Sequence, residues 1–164
     1  MIVVSDTTPL ISFIKIQRLG LLEELFGEIV ISKAVFQELT TDSRFQGEAE
    51  QIKAQSFISV KDVNSMESVN LLKRATGLDQ GESEAIILTD ELKAHLLLMD
   101  EAKGRAVSGQ MGLRIMGTIG VLMAAYEEKC LTGAEVRDCI EELQKAGRHI
   151  GQRHYQMLLD KLKD

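Results

Sequence analysis

Ile2-Val3-Val4-Ser5-Asp6-Thr7-Thr8-Pro9 stands near the start of the chain, and Leu96-Leu97-Leu98-Met99-Asp100 echoes its first half much later. Each is a short apolar run that ends in an aspartate and is followed by a helix-like pattern. Such runs read as buried strands. Strands alternating with helices imply a largely parallel sheet covered by helices. Open sheets of that kind bind ligands beyond the carboxyl ends of their strands. The two runs therefore put Asp6 and Asp100 where an α/β protein does its chemistry.

The pattern continues outward from both runs. Thr8-Pro9 reads as a helix start, with Thr8 at the cap and Pro9 at the first helical position. Leu10, Ile11 and Ile14, then Leu21 and Leu22, recur at helical spacing around a break at Gly20. Ile29-Val30-Ile31 is a second strand, and Ser32 can cap a helix through Val35, Phe36 and Leu39. Residues 47–55 read as an exposed helix, residues 57–63 as a third strand, and residues 66–75 as a helix stopped by Gly77. Asp79-Gln80-Gly81-Glu82 has the form of a capping box leading into Ala85-Ile86-Ile87-Leu88. After the fourth strand come a helix over residues 102–111 and a short strand over 113–116. Further helices start at Gly117-Thr118 and Thr132, and a last one spans residues 155–162. Without a linker, a low-complexity tract or a repeat, residues 1–164 read as a single domain, with residues 146–164 a helical tail.

A chain of 164 residues can bury a real core. At 45% hydrophobic residues it is not a disordered one. Aromatics at 4%, with no Trp, argue against reading bases mainly by stacking. The formal charge of −6 means that a nucleic-acid substrate has to be held by local basic groups and a metal. Cys130 and Cys139 lack the spacing of a metal or redox motif and read as reduced structural thiols. No apolar run reaches the ~18 residues of a membrane span, and the start lacks a signal-peptide pattern, so no membrane association and a cytoplasmic location are expected.

The acids need weighing one by one. Asp6 competes with a helix-cap role, but Thr8 takes the natural cap position. Asp100 directly precedes the next helix and can cap it, bind a ligand, or do both with its two oxygens. Glu38 sits on an amphipathic helix where most glutamates are solvated. Glu82 and Glu84 flank the apolar stripe of Ala85 and Leu88 on opposite sides. Glu82 has a role as the last member of the capping box, which favours Glu84 as the inward acid. Converging carboxylates repel and tend to protonate. Mg²⁺ or Mn²⁺ resolves that repulsion through hard oxygen ligands. One or two such ions are suited to phosphodiester hydrolysis.

Val4-Ser5-Asp6-Thr7-Thr8-Pro9-Leu10-Ile11, Val35-Phe36-Gln37-Glu38, Gly81-Glu82-Ser83-Glu84-Ala85-Ile86, Met99-Asp100 with Arg105, and Gly117-Thr118-Ile119-Gly120-Val121-Leu122 follow one another in that order. This ordered set resembles the PIN domain family, in particular its branch with a Gly-Glu-x-Glu-Ala motif, over residues 1 to about 145. The resemblance implies a three-layer α/β/α sandwich with a parallel sheet of about five strands in the order 3-2-1-4-5. That order makes Asp6 and Asp100 neighbours. It further implies Mg²⁺- or Mn²⁺-dependent cleavage of RNA, often by the toxin (VapC-type) of a toxin–antitoxin pair, a homodimer, and a small antitoxin protein as partner. The catalytic acids it implies are Asp6, Glu38, Glu84 and Asp100. Asp6, Asp100 and Glu84, with Glu82 as the rival to Glu84, are the metal ligands, and Thr118 and Arg105 support them.

Rival α/β phosphate enzymes fit less well. A haloacid dehalogenase-type phosphatase wants Asp-x-Asp after the first strand, where this chain has Asp6-Thr7-Thr8. A receiver domain wants a phosphoacceptor after the third strand, where Asp62-Val63-Asn64 is a poor match. A PIN-like scaffold that binds RNA or protein without cutting remains the alternative to a nuclease. Arg148, His149, Arg153 and His154 form a basic cluster that reads either as a solvated terminus or as a phosphate-contacting rim.

Overall fold

The computed structural model describes residues 1–148 and 151–162, the side chain of His154 apart. Five parallel strands, β1 (Val3–Ser5), β2 (Ile29–Ser32), β3 (Ile58–Lys61), β4 (Leu96–Leu98) and β5 (Ile115–Met116), form one sheet in the order β3-β2-β1-β4-β5. β1 pairs with β2 on one side and β4 on the other, with Val3 opposite Ile29 and Leu96. The strand order therefore reverses at β1, and Asp6 and Asp100 leave the sheet from adjacent strands.

Side chains that alternate along each strand supply two cores. Val3, Ile29, Ile31 and Leu98 face one layer, and Val4, Val30, Leu97 and Met99 face the other. On the first face pack α1 (Thr7–Lys15), α2 (Gly20–Phe26), α3 (Lys33–Thr41), α4 (Gln46–Lys53), α8 (Thr118–Glu127) and α9 (Gly133–Lys145). The second face carries α5 (Met66–Thr76), α6 (Gln80–Glu91) and α7 (Ala102–Gln110). Strands covered on both sides must be apolar throughout, which is why β1 and β4 show no polar alternation.

Helix boundaries follow local chemistry. Ser32 caps α3, Ser65 caps α5, and both Asp79 at α6 and Thr132 at α9 complete capping boxes. Gly77 closes α5 in the left-handed conformation that L-residues avoid. The segment read as an exposed helix is α4, which buries Ala49 and Ile52 and is preceded by a 3-10 turn over Ser43–Phe45. α10 (Gln152–Lys161) is no detached tail, because Leu158 and Leu162 enter the first core. Among the described residues no helix is long and apolar enough to cross a membrane.

Candidate active site

The Asp6 amide extends the β1–β4 ladder by donating to the Leu98 carbonyl at 2.9 Å. α1 then starts at Thr7, one residue before the expected Thr8 cap, so Asp6 itself occupies the cap position. Its side chain makes no capping hydrogen bond, and the backbone amide that acts on it is that of the adjacent Thr7. Pro9 is tolerated as the third helical residue because the first amides of a helix lack intrahelical acceptors in any case. Asp6 is 4% exposed and lines a cavity of about 150 Å³ with Thr7, Thr8, Glu38, Asp79, Glu82 and Glu101.

Each of these carboxylates is delivered by a local device. Thr7 Oγ1 donates to Glu38 Oε2 at 2.9 Å and fixes the α3 glutamate over the cleft. Gly81 makes room for it, since a Cβ there would stand 3.1 Å from Glu38 Oε2. The α6 capping box holds the next pair: the Glu82 amide donates to Asp79 Oδ1 at 2.8 Å, and the Asp79 amide donates to Glu82 Oε1 at 3.1 Å. Glu101 caps α7 by accepting from the Lys103 and Gly104 amides.

Asp100 lies next to this cleft and lines two neighbouring cavities. It does not cap α7, the role Glu101 has taken. Its two oxygens instead accept from the Thr118 amide and the Thr118 hydroxyl, both at 2.6 Å. Arg105 Nη1 donates to the Met99 carbonyl at 3.0 Å and so braces the end of β4. Gly117 packs against both, because a Cβ there would meet Arg105 Nη1 and Asp100 Oδ1 at 2.9 Å each. We expect Gly117→Ala to displace Asp100 and lower any hydrolytic kcat by about tenfold, roughly 1.4 kcal/mol of barrier. Far-UV circular dichroism should be unchanged, since Gly117 has a φ of −89° that alanine adopts readily.

Glu84 does not join the cleft. It is 7% exposed and lies beside a separate cavity with Lys33 and Ala34. Glu84 Oε1 accepts from the Ala34 amide at 3.1 Å and Oε2 from Gln80 Nε2 at 2.6 Å. It thus ties α6 to the first turn of α3, while Glu82, the capping residue and the rival to Glu84 as a ligand, lines the cleft with Asp6. Glu84→Ala is expected to leave a near-buried amide unpaired and to cost ~1–3 kcal/mol of stability, read by chemical denaturation. Asp79, Glu101 and Thr7 are cleft residues that the sequence reading assigned no ligand role. Each sits beside one that it did: Thr7 after Asp6, Glu101 after Asp100, and Asp79 in the capping box of Glu82.

A family model described as a PIN domain matches residues 2–164. The chain belongs to the PIN domain family. No curated protein matches it. The sheet order of this PIN domain agrees with the order the resemblance implied.

The cleft of the PIN domain is electrostatically unbalanced. No ion pair among the described residues involves Asp6, Glu38, Asp79, Glu82, Glu101 or Asp100. Burial pushes the Asp6 carboxyl up to about 7; an amide hydrogen bond from Thr7 opposes this, and the charges of Asp79, Glu38 and Asp100 add to it. Burial likewise pushes Glu82 up to about 8, with Asp79 and Glu101 contributing beyond it. Glu101 is held low, because the Gly104 and Lys103 amides and the Glu82 carboxyl outweigh its own burial. The donors are all hard oxygens, and the excess negative charge is what a divalent cation neutralises. In donor type and charge the residues fit Mg²⁺ or Mn²⁺. Among the described residues no group of three or more acids is placed to hold one metal ion.

Proposed function

We propose that this PIN domain is a Mg²⁺- or Mn²⁺-dependent endoribonuclease that hydrolyses RNA phosphodiester bonds. The observation that carries the reading is the Asp6 cleft, in which the buried Asp6 and the half-buried Glu38 and Glu82, without an ion-pair partner among the described residues, lie at the carboxyl edge of the sheet. Asp6, Glu38 and Glu82 are the residues we assign to hold the cation, with Asp79 and Glu101 lining the same cleft and Asp100 beside it. A divalent ion there would supply Lewis-acid polarisation of a phosphoryl oxygen and acidify water near neutral pH. Thr118, with its hydroxyl proton committed to Asp100, presents oxygen lone pairs toward the shared cavity, where they can accept a hydrogen bond from an ordered water. Arg105 keeps the β4 end in register by its bond to Met99.

The test compares the wild type with Asp6→Asn/Asp100→Asn on a mixed RNA pool with Mn²⁺. Cleavage by the wild type alone is expected; equal cleavage by both would assign the activity to a contaminant. A second reading, a PIN scaffold that binds RNA without cutting, is favoured by the failure of any three described acids to converge. It predicts RNA binding with no cleavage by either protein. We further propose, from family membership, that the domain pairs with a second copy and acts as the toxin partner of a small antitoxin protein. A short DNA-binding protein encoded next to it would support that assignment.

Within the cleft, Glu82→Gln is expected to lower cleavage more than tenfold without loss of stability, because it removes a partly desolvated charge and keeps an acceptor for the Asp79 amide. A thermal melt alongside the rate assay checks both halves of that expectation.

A further inference from the structure

Among the described residues no cation lines the Asp6 cleft, but three line the neighbouring cavities that Asp100 borders. Arg148 lines a cavity of about 240 Å³ with Thr8, Ser12, Asp100 and Thr118. Arg105 and Lys161 line one of about 530 Å³ that has Asp100 and Ile119 as a common wall with the first. Thr8 in turn belongs to both the Arg148 cavity and the acidic cleft. The site is thus polarised, with the uncompensated carboxylates on one side and the guanidinium and ammonium groups on the other.

Arg148 has the least satisfied environment of the three. Gly147 closes α9 with a φ of +80°, and the Arg148 amide donates to the Leu143 carbonyl at 2.9 Å, which fixes its backbone. Its Nε is buried and has no hydrogen-bond partner among the described residues. The one carboxylate in its cavity, Asp100, already accepts from Thr118 at both oxygens. The remaining polar groups are the hydroxyls of Thr8 and Ser12, which can donate. A buried guanidinium N–H beside hydroxyl donors calls for an anion with several acceptor oxygens, and arginine's planar fork matches phosphate.

We propose that Arg148, with Thr8 and Ser12, forms a subsite for a backbone phosphate of single-stranded RNA, and that the strand continues past Ile119 to Arg105 and Lys161. The proposal rests on the nuclease reading of the neighbouring cleft and gives it a substrate class and a strand position. We assign a single strand because a flexible backbone can bend to place one phosphate in the Arg148 cavity and the next past Ile119, which a rigid duplex does less readily. Recognition through phosphate carries no sequence information, and among the described residues no aromatic side chain lines either cavity, so base identity contributes little.

The test is fluorescence anisotropy of a short labelled RNA of mixed sequence, titrated with protein across a range of salt in millimolar Ca²⁺ instead of Mn²⁺. Arg148→Gln is expected to weaken binding about tenfold and to reduce the log–log salt slope by about 0.7, the value for one single-strand phosphate contact. Arg148→Lys should keep the slope and lose several-fold in affinity, since lysine retains the charge but not the fork. Lys161→Gln should reduce the slope as Arg148→Gln does, and binding of the same sequence as a duplex should not respond to either change. Wild-type affinity and slope in Arg148→Gln, an equal loss on duplex, or no binding by the wild type would overturn the subsite. If Arg148→Gln fails to fold, wild-type affinity in Arg148→Lys overturns it. Arg148-dependent binding without cleavage by the wild type would support the subsite and sink the nuclease reading; Arg148-independent binding with Asp6-dependent cleavage would do the reverse.

Discussion

Asp6→Asn is expected to reduce kcat/KM for RNA cleavage by at least ~10²-fold while raising the thermal midpoint of the metal-free protein at alkaline pH. The two effects have one origin. Asp6 is 4% exposed, and burial is the largest influence on its carboxyl. A charge kept there is useful only if a cation shares it. Electrostatic assistance from a bound cation amounts to several kcal/mol in hydrolytic sites, and each 1.36 kcal/mol lost is a factor of ten in rate. Asparagine preserves the shape and the cap position, where it is as well tolerated as aspartate. The substitution therefore separates function from folding: a structural Asp6 would lose stability on change to Asn, whereas a ligand Asp6 gains it. A midpoint that falls in Asp6→Asn would count against the cation role even if activity were lost.

A metal-free protein that loses stability as pH rises from about 5.5 to about 8.5 is the second large expectation. The sign follows from the direction of the shifts. Asp6 is raised from 3.8 to about 7, and Glu82 from 4.5 to about 8. An acid with a raised folded pKa binds more protons in the native state than in the unfolded one. Its stabilising effect is complete below the unfolded value and is lost as pH passes through the folded value. For Asp6 the stretch from pH 5.5 to about 7 carries ~2 kcal/mol, at about 1.4 kcal/mol per pH unit, and the rest of the loss falls below pH 5.5. At ~2–4 °C per kcal/mol for a domain of this size, the midpoint should fall by roughly 4–8 °C across the window. Glu82 adds in the same direction but is too solvated to carry a figure. Mn²⁺ should remove most of the fall by replacing the protons. Differential scanning fluorimetry across pH, with and without Mn²⁺, measures it, and a flat profile without metal would contradict the electrostatics described here.

The sheet was readable because its central strands, β1, β2 and most of β4, are buried on both faces. Ile2-Val3-Val4 and Leu96-Leu97-Leu98 carry no polar interruption, and the capping residues Ser32, Asp79 and Thr132 announce the helices that follow or cross over. Asp6 and Asp100 were placed correctly for the same reason, as the residues just past strand ends. The choice between Glu82 and Glu84 was not readable. Residues two apart differ by ~200° around a helix, so only one of them can face the cleft, and the rotational setting of α6 decides which. That rotation is set by how Ala85, Ile86 and Leu88 pack on Val4 and Leu97 and by the contact of Glu84 with α3, both tertiary facts. A capping role also proved compatible with a place in the cleft, as Glu82, Asp79 and Glu101 all show. Arg148 was ambiguous because one buried nitrogen, and not its sequence neighbours, distinguishes it from a solvated terminal residue.

The most direct measurement is a calorimetric titration of the purified protein with Mn²⁺ at neutral pH, run in two buffers of different ionisation enthalpy. The account predicts saturable binding that releases protons from Asp6 and Glu82, with affinity and proton release both diminished in Asp6→Asn and Glu82→Gln and unchanged in Arg148→Gln. Absence of binding, or binding indifferent to Asp6 and Glu82, would contradict it.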